Sequence, residues 1–297
     1  MTNTFKIPTA FEERIKKIHG ENGNQWIKDL PSLIDQAIES WQLSNLKLFP
    51  NLSYNLVFEG QRADLGSIVL KVSVPNSEFH SEINALRRFR GNCCVRLLES
   101  DEKNGLLLLE KATPGTTLKE YTLNGRDLEA VSICANVIQK LHTGQNLIDS
   151  TAPNPTLADR MLDFSRLKLA IQQGNAPFEL SLWERAENEY QNLLSTTSRT
   201  VLLHGDLHHD NILSSQRSPW LAIDPHGVIG DPAFEVAGFM RNPYPGVMKL
   251  QNVKAIMKNR IDVFSGILYL EKRRIWGWSF AQTTLASGWV FEDQHSG

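Results

Sequence analysis

The residues best suited to chemistry lie in one polar run, His204-Gly205-Asp206-Leu207-His208-His209-Asp210-Asn211. Asp224, in Ile223-Asp224-Pro225, follows thirteen residues after Asn211, and Gly230-Asp231-Pro232 comes next. This set has what moving a phosphoryl group from a nucleotide to a hydroxyl requires. The acceptor hydroxyl must be aligned with the phosphorus and its proton needs a receiver; one carboxylate, Asp206, can serve both needs. The polyphosphate needs Mg2+, a hard ion that takes oxygen ligands. The amide oxygen of Asn211, five residues after Asp206, and the carboxylate of Asp224 are the candidate ligands. A lysine must steady the phosphates, and a carboxylate must hold that lysine. Lys71 and Glu82 are the candidates.

These residues need elements to position them. Lys71 lies in GSIVLKVSV (66–74), where alternation is poor and burial on both faces is expected; a buried lysine needs a partner. Glu82 sits in SEFHSEINALRRF (77–89), read as a helix opened by Ser77, with Glu78 available one turn earlier. SYNLVFEG (53–60) reads as a further strand. VRLLES (95–100) and LLLLEK (106–111) flank DEKNG, whose Asn-Gly ending signals a hairpin. Two helices, 10–20 and 25–43, precede this β-β-α-β-β pattern, and Pro31 is expected near a helix start or break.

ATPGTT (112–117) reads as a hinge. Beyond it the chain is mainly helical, over 127–142, 181–194 and much of 248–286. The exception is 200–227, where two short apolar strands each end in an acidic loop. The reading is therefore an α+β, bilobal chain: 1–112 a small β-rich N-terminal nucleotide-binding lobe with a helical lead-in, 113–297 a larger helical lobe carrying the polar run and the acceptor site. A cleft between lobes is the expected ligand site.

Composition narrows the partners. With 31 basic and 33 acidic residues the net charge is −2, which lacks the bias of a general nucleic-acid binder. Three cysteines cannot build a disulfide framework and fit a reducing compartment. No apolar run approaches the roughly 20 residues that span a bilayer. MTNTFKIPTAFEERIKK has no apolar signal core. A cytoplasmic protein is expected, monomer or homodimer, binding neither nucleic acid nor membrane.

LLHGDLHHDNIL and WLAIDPHGVIGDPAFEVAGFMRNP closely resemble the aminoglycoside phosphotransferase superfamily, and in particular its streptomycin 6-phosphotransferase and hydroxyurea phosphotransferase branch. NQWIKDLPSLID, SYNLVF, VLKV, SEINALRRF, LLLLEKATPGTTL and RRIWGWSFAQTTLASGWVFED extend the likeness to nearly the whole chain. The resemblance implies a protein-kinase-like fold, ATP and Mg2+ as cofactors, and a hydroxylated, cationic small-molecule acceptor, streptomycin first. It implies Asp206 as base, Asn211 and Asp224 on the metal, and Lys71 with Glu82 on the phosphates. Ser53 stands where a glycine-rich phosphate loop would be, and an adenine slot near 108–113 would involve Glu110 and Ala112. His226 departs from the pattern, which has Lys in DPKG.

Blander readings stand beside these. His204 is expected to hold the loop rather than move protons. His208 and His209 invite a zinc site, but no Cys or His cluster elsewhere completes one. Asp231 is expected to cap the following helix. Trp276, Trp278 and Trp289 read as core. Asp159, Asp163, Glu235, Glu292 and Asp293 are candidates for an acidic surface that would attract a polycation. Gly205-Asp206-Leu207-His208 superficially matches a G-D-x-H metal element, but a metallophosphoesterase would also need a D-x-H near the start of the chain and a G-N-H later, and the chain has neither there. A protein kinase would need D-F-G and A-P-E, also absent. A nucleotide-binding protein without transfer, or a kinase of another metabolite, stays open.

Overall fold

The computed structural model describes residues 7–50, 52–143 and 154–295. The chain divides into two units. One takes in the chain up to Gly91 together with Val95–Lys111; the other takes in Asn92–Cys94 and the chain from Ala112 onward.

The first unit begins with α1 (Thr9–Trp41), a pair of helical segments joined at Gly20, whose φ of 56° and ψ of −131° are not helical. Pro31, expected at a break, instead lies exposed inside the second segment. The break falls at glycine because only glycine takes that backbone without steric cost. After it come β1 (Leu43–Leu48), β2 (Leu56–Arg62), β3 (Gly66–Val72), α2 (Ser77–Phe89), β4 (Leu97–Asp101) and β5 (Leu106–Glu110). The strands form one antiparallel sheet in the order β1-β2-β3-β5-β4. Sequence reading misses β1, because LSNLKL follows the helix with only Gln42, in a left-handed conformation, between them. The helix α2 is capped by Asn76 rather than opened by Ser77: the Asn76 side chain accepts the Phe79 N–H at 2.9 Å. The apolar face of α1, with Trp26, Leu30 and Ile34, packs with Phe58, Leu70 and Leu108 of the sheet in one core.

The second unit holds β6 (Pro114–Thr117), α3 (Lys119–Leu123), α4 (Asp127–His142), α5 (Met161–Gln172), α6 (Leu180–Ser195), β7 (Val201–Leu203), β8 (Ile212–Ser215), β9 (Trp220–Ala222), β10 (Val228–Gly230), α7 (Ala237–Arg241), α8 (Val253–Leu268) and α9 (Lys272–His295). The segment read as a hinge is in part strand β6, paired antiparallel with β8. Two small ladders, β6-β8-β9 and β10-β7, sit among the helices. The helices bury Trp183, Tyr190, Phe164, Trp278 and Leu285 in one core. Trp278 is thus core as expected, while Trp276 is 46% exposed and stacks on Phe280. Among the described residues no helix is long and apolar enough to cross a membrane. A small antiparallel β unit and a larger, mainly helical unit give the bilobal, protein-kinase-like α+β fold.

Candidate active site

In the first unit, Lys71 Nζ donates to Glu82 Oε1 at 2.7 Å and Oε2 at 2.8 Å. Both side chains are nearly buried, at 5% and 7% residue exposure. Lys71 is in the central strand β3, flanked by β2 and β5, so poor alternation does signal burial. Glu82 faces it from the buried side of α2, whereas Glu78 is exposed. A pair removed from water this far holds its geometry because each charge needs the other. Ser53 is exposed in the bend before β2, and its carbonyl accepts from Arg14 at 2.8 Å. Glu110 ends β5, and its carboxylate accepts the Arg96 N–H at 3.0 Å.

In the second unit, Ala112 is buried at the entry to β6. Asp206 follows β7 by way of Gly205, whose φ of 85° turns the chain at a position an L side chain rarely adopts. The Asp206 carboxylate is partly exposed. Arg241 Nη2 donates to its Oδ1 at 3.3 Å, and His208 Nε2 and His226 Nε2 lie 3.4 and 4.0 Å from its Oδ2. Burial pushes the Asp206 carboxyl up, but the hydrogen bond and charge of His208, with the charges of His226 and Arg241, outweigh it. The group is held well below the usual carboxylate range.

Asn211 is joined to Asp206 directly: its Nδ2 donates to the Asp206 carbonyl at 3.0 Å, which leaves Oδ1 as the oxygen donor of the amide. Its carbonyl accepts the Ile223 N–H at 3.0 Å, and the β8–β9 ladder begins with Ile212 opposite Ala222. The two strands therefore deliver Asn211 and Asp224 to the same end of one ladder. Asp224 is exposed and has a φ of 56°, a conformation that Asp tolerates better than most side chains.

Residues that sequence reading does not assign to the loop hold it in place. Glu235, expected on an acidic surface, is instead buried beneath the loop. Its Oε2 accepts the His204 N–H at 2.7 Å and its Oε1 the Gly205 N–H at 2.9 Å. His142 Nε2 lies 3.2 Å from Oε2. Burial raises the Glu235 carboxyl, but His142, His204 and the Gly205 amide overcome this and lower it. His204 Nε2 reaches the Ile223 carbonyl at 2.8 Å, and its Nδ1 accepts the Asp206 N–H at 3.4 Å, so a neutral ring ties the two acidic loops together. Burial lowers its affinity for a proton.

His209 is packed in the interior. It stacks on Phe239 at 3.8 Å between ring centroids, and its Nε2 is 3.0 Å from Thr122 Oγ1. Burial, then the charge of Arg260, push its imidazole down to about 2. Thr122 donates to Asp127, and Asp127 is gripped by both arms of the fully buried Arg260. Gly238 lets α7 approach the loop: a Cβ there would stand 2.8 Å from the Leu207 carbonyl oxygen. Asp231 caps the turn before α7 through the Ala233 N–H and receives Arg274 and Trp278. Three more of the acids expected to form a surface are engaged in the same unit. Asp163 and Glu292 both pair with Arg166, and Asp159 bonds to Thr156 in a capping box.

Known proteins share this architecture. The chain is 27% identical to streptomycin 6-kinase of Streptomyces griseus over 97% of its own length and 91% of the relative's. It is similar to the solved choline kinase LicA of Streptococcus pneumoniae, with a TM-score of 0.64, 14% identity, and 90% and 92% of the two chains covered. It is also similar to a thermostable mutant of aminoglycoside phosphotransferase APH(4)-Ia in ternary complex with ADP and hygromycin B, with a TM-score of 0.58, 16% identity, and 88% and 94% covered. Residues 41–294 match the family described as aminoglycoside/hydroxyurea antibiotic resistance kinase. With the kinase-like fold and the match over most of its length, this chain belongs to that family and is a phosphotransferase acting on hydroxyl groups.

Proposed function

We propose that the protein transfers the γ-phosphate of ATP to a hydroxyl of an aminoglycoside-like small molecule, with streptomycin the leading acceptor. The observation that carries this reading is the bond between Asn211 and the Asp206 carbonyl, which joins an ionised, partly exposed carboxylate to an oxygen donor for a cation. Asp206 orients the acceptor hydroxyl and receives its proton as the acceptor oxygen bonds to the γ-phosphorus and the bond from that phosphorus to the β–γ bridging oxygen breaks, releasing ADP. A carboxylate held this far below its usual range is a weak base, so its main contribution is alignment, with proton acceptance late in the step. Lys71, fixed by Glu82, steadies the α- and β-phosphates. Ser53, Glu110 and Ala112 are assigned to the nucleotide.

The donor set fits Mg2+. Asn211 Oδ1 and the exposed Asp224 carboxylate are hard oxygen donors carried to one end of the β8–β9 ladder. When bound, the ion neutralises charge on the phosphates. A cytoplasmic location fits a supply of ATP.

A different acceptor is the second reading. It is favoured by the engagement of Glu235, Asp163, Glu292 and Asp159 with partners of their own, which leaves fewer acids to receive a polycation. The test incubates the protein with Mg·ATP and a panel of streptomycin, other aminoglycosides, choline and hydroxyurea. Products are read by mass spectrometry, with Asp206→Ala alongside. A product about 80 Da heavier (one added HPO3) with the wild type alone supports the reading and names the acceptor. ATP binding without transfer to any compound rejects the aminoglycoside assignment. Full turnover by Asp206→Ala rejects the assigned base.

A further inference from the structure

We infer that Arg241, anchored by Gln282, is a positioning residue that sets the orientation of the Asp206 carboxylate. This rests on the reading of Asp206 as the group that meets the acceptor. Both backbone polar groups of Asp206 are engaged, the N–H on His204 and the carbonyl by Asn211. The backbone is therefore fixed, but the plane of an aspartate carboxyl turns about a soft, roughly two-fold torsion. Contacts at the two oxygens must set that plane. His208 lies at Oδ2, and Arg241 donates to Oδ1.

Arg241 is built for this. It is the last residue of α7, which Gly238 brings against the Leu207 carbonyl, next in sequence to Asp206. Its Nη1 donates to Gln282 Oε1 at 2.5 Å, and Gln282 is 3% exposed within α9. The guanidinium is planar and rigid, so anchoring Nη1 decides where Nη2 points. A lysine could supply charge beside Asp206 but could not bridge the two partners with one fixed fork. At 3.3 Å the contact to Oδ1 is longer than the roughly 2.7–2.9 Å usual for a charge-assisted bond, so it orients the carboxylate and leaves it room to close on a hydroxyl. The position of α9 thus reaches Asp206 through Gln282 and Arg241.

The test compares Gln282→Leu, Arg241→Lys and Arg241→Ala with Asp206→Asn, using the acceptor that turns over in the panel above. Misplacement of a reacting group by about 1 Å costs on the order of 100-fold. Gln282→Leu and Arg241→Lys should each lower kcat by roughly 10-fold or more, with KM for ATP within about twofold. Arg241→Ala should lose about 100-fold and be partly rescued by added guanidinium ion. A crystal structure of Gln282→Leu should show the Asp206 carboxylate turned from its wild-type plane. An unchanged plane, or kcat near wild type in Gln282→Leu and Arg241→Ala while Asp206→Asn is inactive, overturns the inference and leaves the assigned base intact. Turnover in Asp206→Asn overturns the assigned base itself. Where no acceptor in the panel turns over, the carboxylate plane in the Gln282→Leu crystal decides.

Discussion

Glu235 Oε1 accepts the backbone N–H of Gly205 at 2.9 Å, so a buried carboxylate grips the chain one residue before Asp206. The same carboxylate holds the His204 N–H and faces His142. Three donors converge on two oxygens, which fixes the strand end from which the polar loop departs.

Replacing Glu235 by Ala strands two buried backbone N–H groups, each costing about 1–3 kcal/mol. Glu235→Ala should therefore lose roughly 2–6 kcal/mol in urea unfolding, together with most activity. The folded carboxyl lies below its ordinary value. Its contribution to stability is thus present above the unfolded value near about 4.3 and is lost as pH falls through the folded value. Melting temperature should hold through neutral pH and drop on acidification below about 4. Glu235→Gln should be less stable at neutral pH and show a shallower drop. An acid limb identical to wild type would disprove the linkage.

Lys71 and Glu82 should behave as a coupled pair. Removing one partner leaves an uncompensated buried charge, at about 3–5 kcal/mol. Lys71→Met and Glu82→Leu should each destabilise by that order and weaken ATP binding, while the double variant should be more stable than the sum predicts. Isothermal titration for ATP and a double-mutant cycle in urea test this; additive losses would mean the two charges are independent.

Asp224 carries a backbone requirement and, in the proposed reading, a ligand role as well. Asn tolerates left-handed backbone, so Asp224→Asn should fold normally yet need several-fold more Mg2+ for half-maximal ATP binding. A β-branched residue does not tolerate it, and Asp224→Val should lose a further 1–2 kcal/mol or so, roughly, of stability. Equal Mg2+ dependence in wild type and Asp224→Asn would remove Asp224 from the metal.

Gly238→Ala sets two effects against each other. Alanine favours a helix by about 0.5–1 kcal/mol, but the new Cβ would stand 2.8 Å from the Leu207 carbonyl oxygen, a backbone atom that cannot swing aside. Overpacking of this kind costs about 1–3 kcal/mol, so the clash wins. The variant should melt several degrees lower, with reduced kcat. A variant as stable as wild type would show that α7 can retreat without cost.

Much of this is legible in the chain. The poor alternation of Ile68-Val69-Leu70-Lys71-Val72 signals a strand buried on both faces, and that demands a counter-charge. Spacing leaves Glu78 and Glu82 both open, because which helix face meets the sheet is a packing outcome. The brief β1 escapes notice since a six-residue strand one residue after a long helix carries no periodic signature of its own. Glu235 reads as surface because a lone acid is usually solvated, even between apolar neighbours such as Phe234 and Val236, until its buried partners are seen.

The sequence alone determined the order and identity of the chemical groups: a lysine and a glutamate in a β-rich first third, then Asp206, Asn211 and Asp224 in loops that end apolar strands. Residue type and local spacing suffice for that, because strands and loops are short-range outcomes. Only the tertiary structure decided what holds those groups. Glu235 reaches Gly205 across 30 positions, Arg241 reaches Asp206 across 35, and Gln282 reaches Arg241 across 41. No period links residues so far apart. Their pairing exists only once burial has removed water and left the polar groups to satisfy one another.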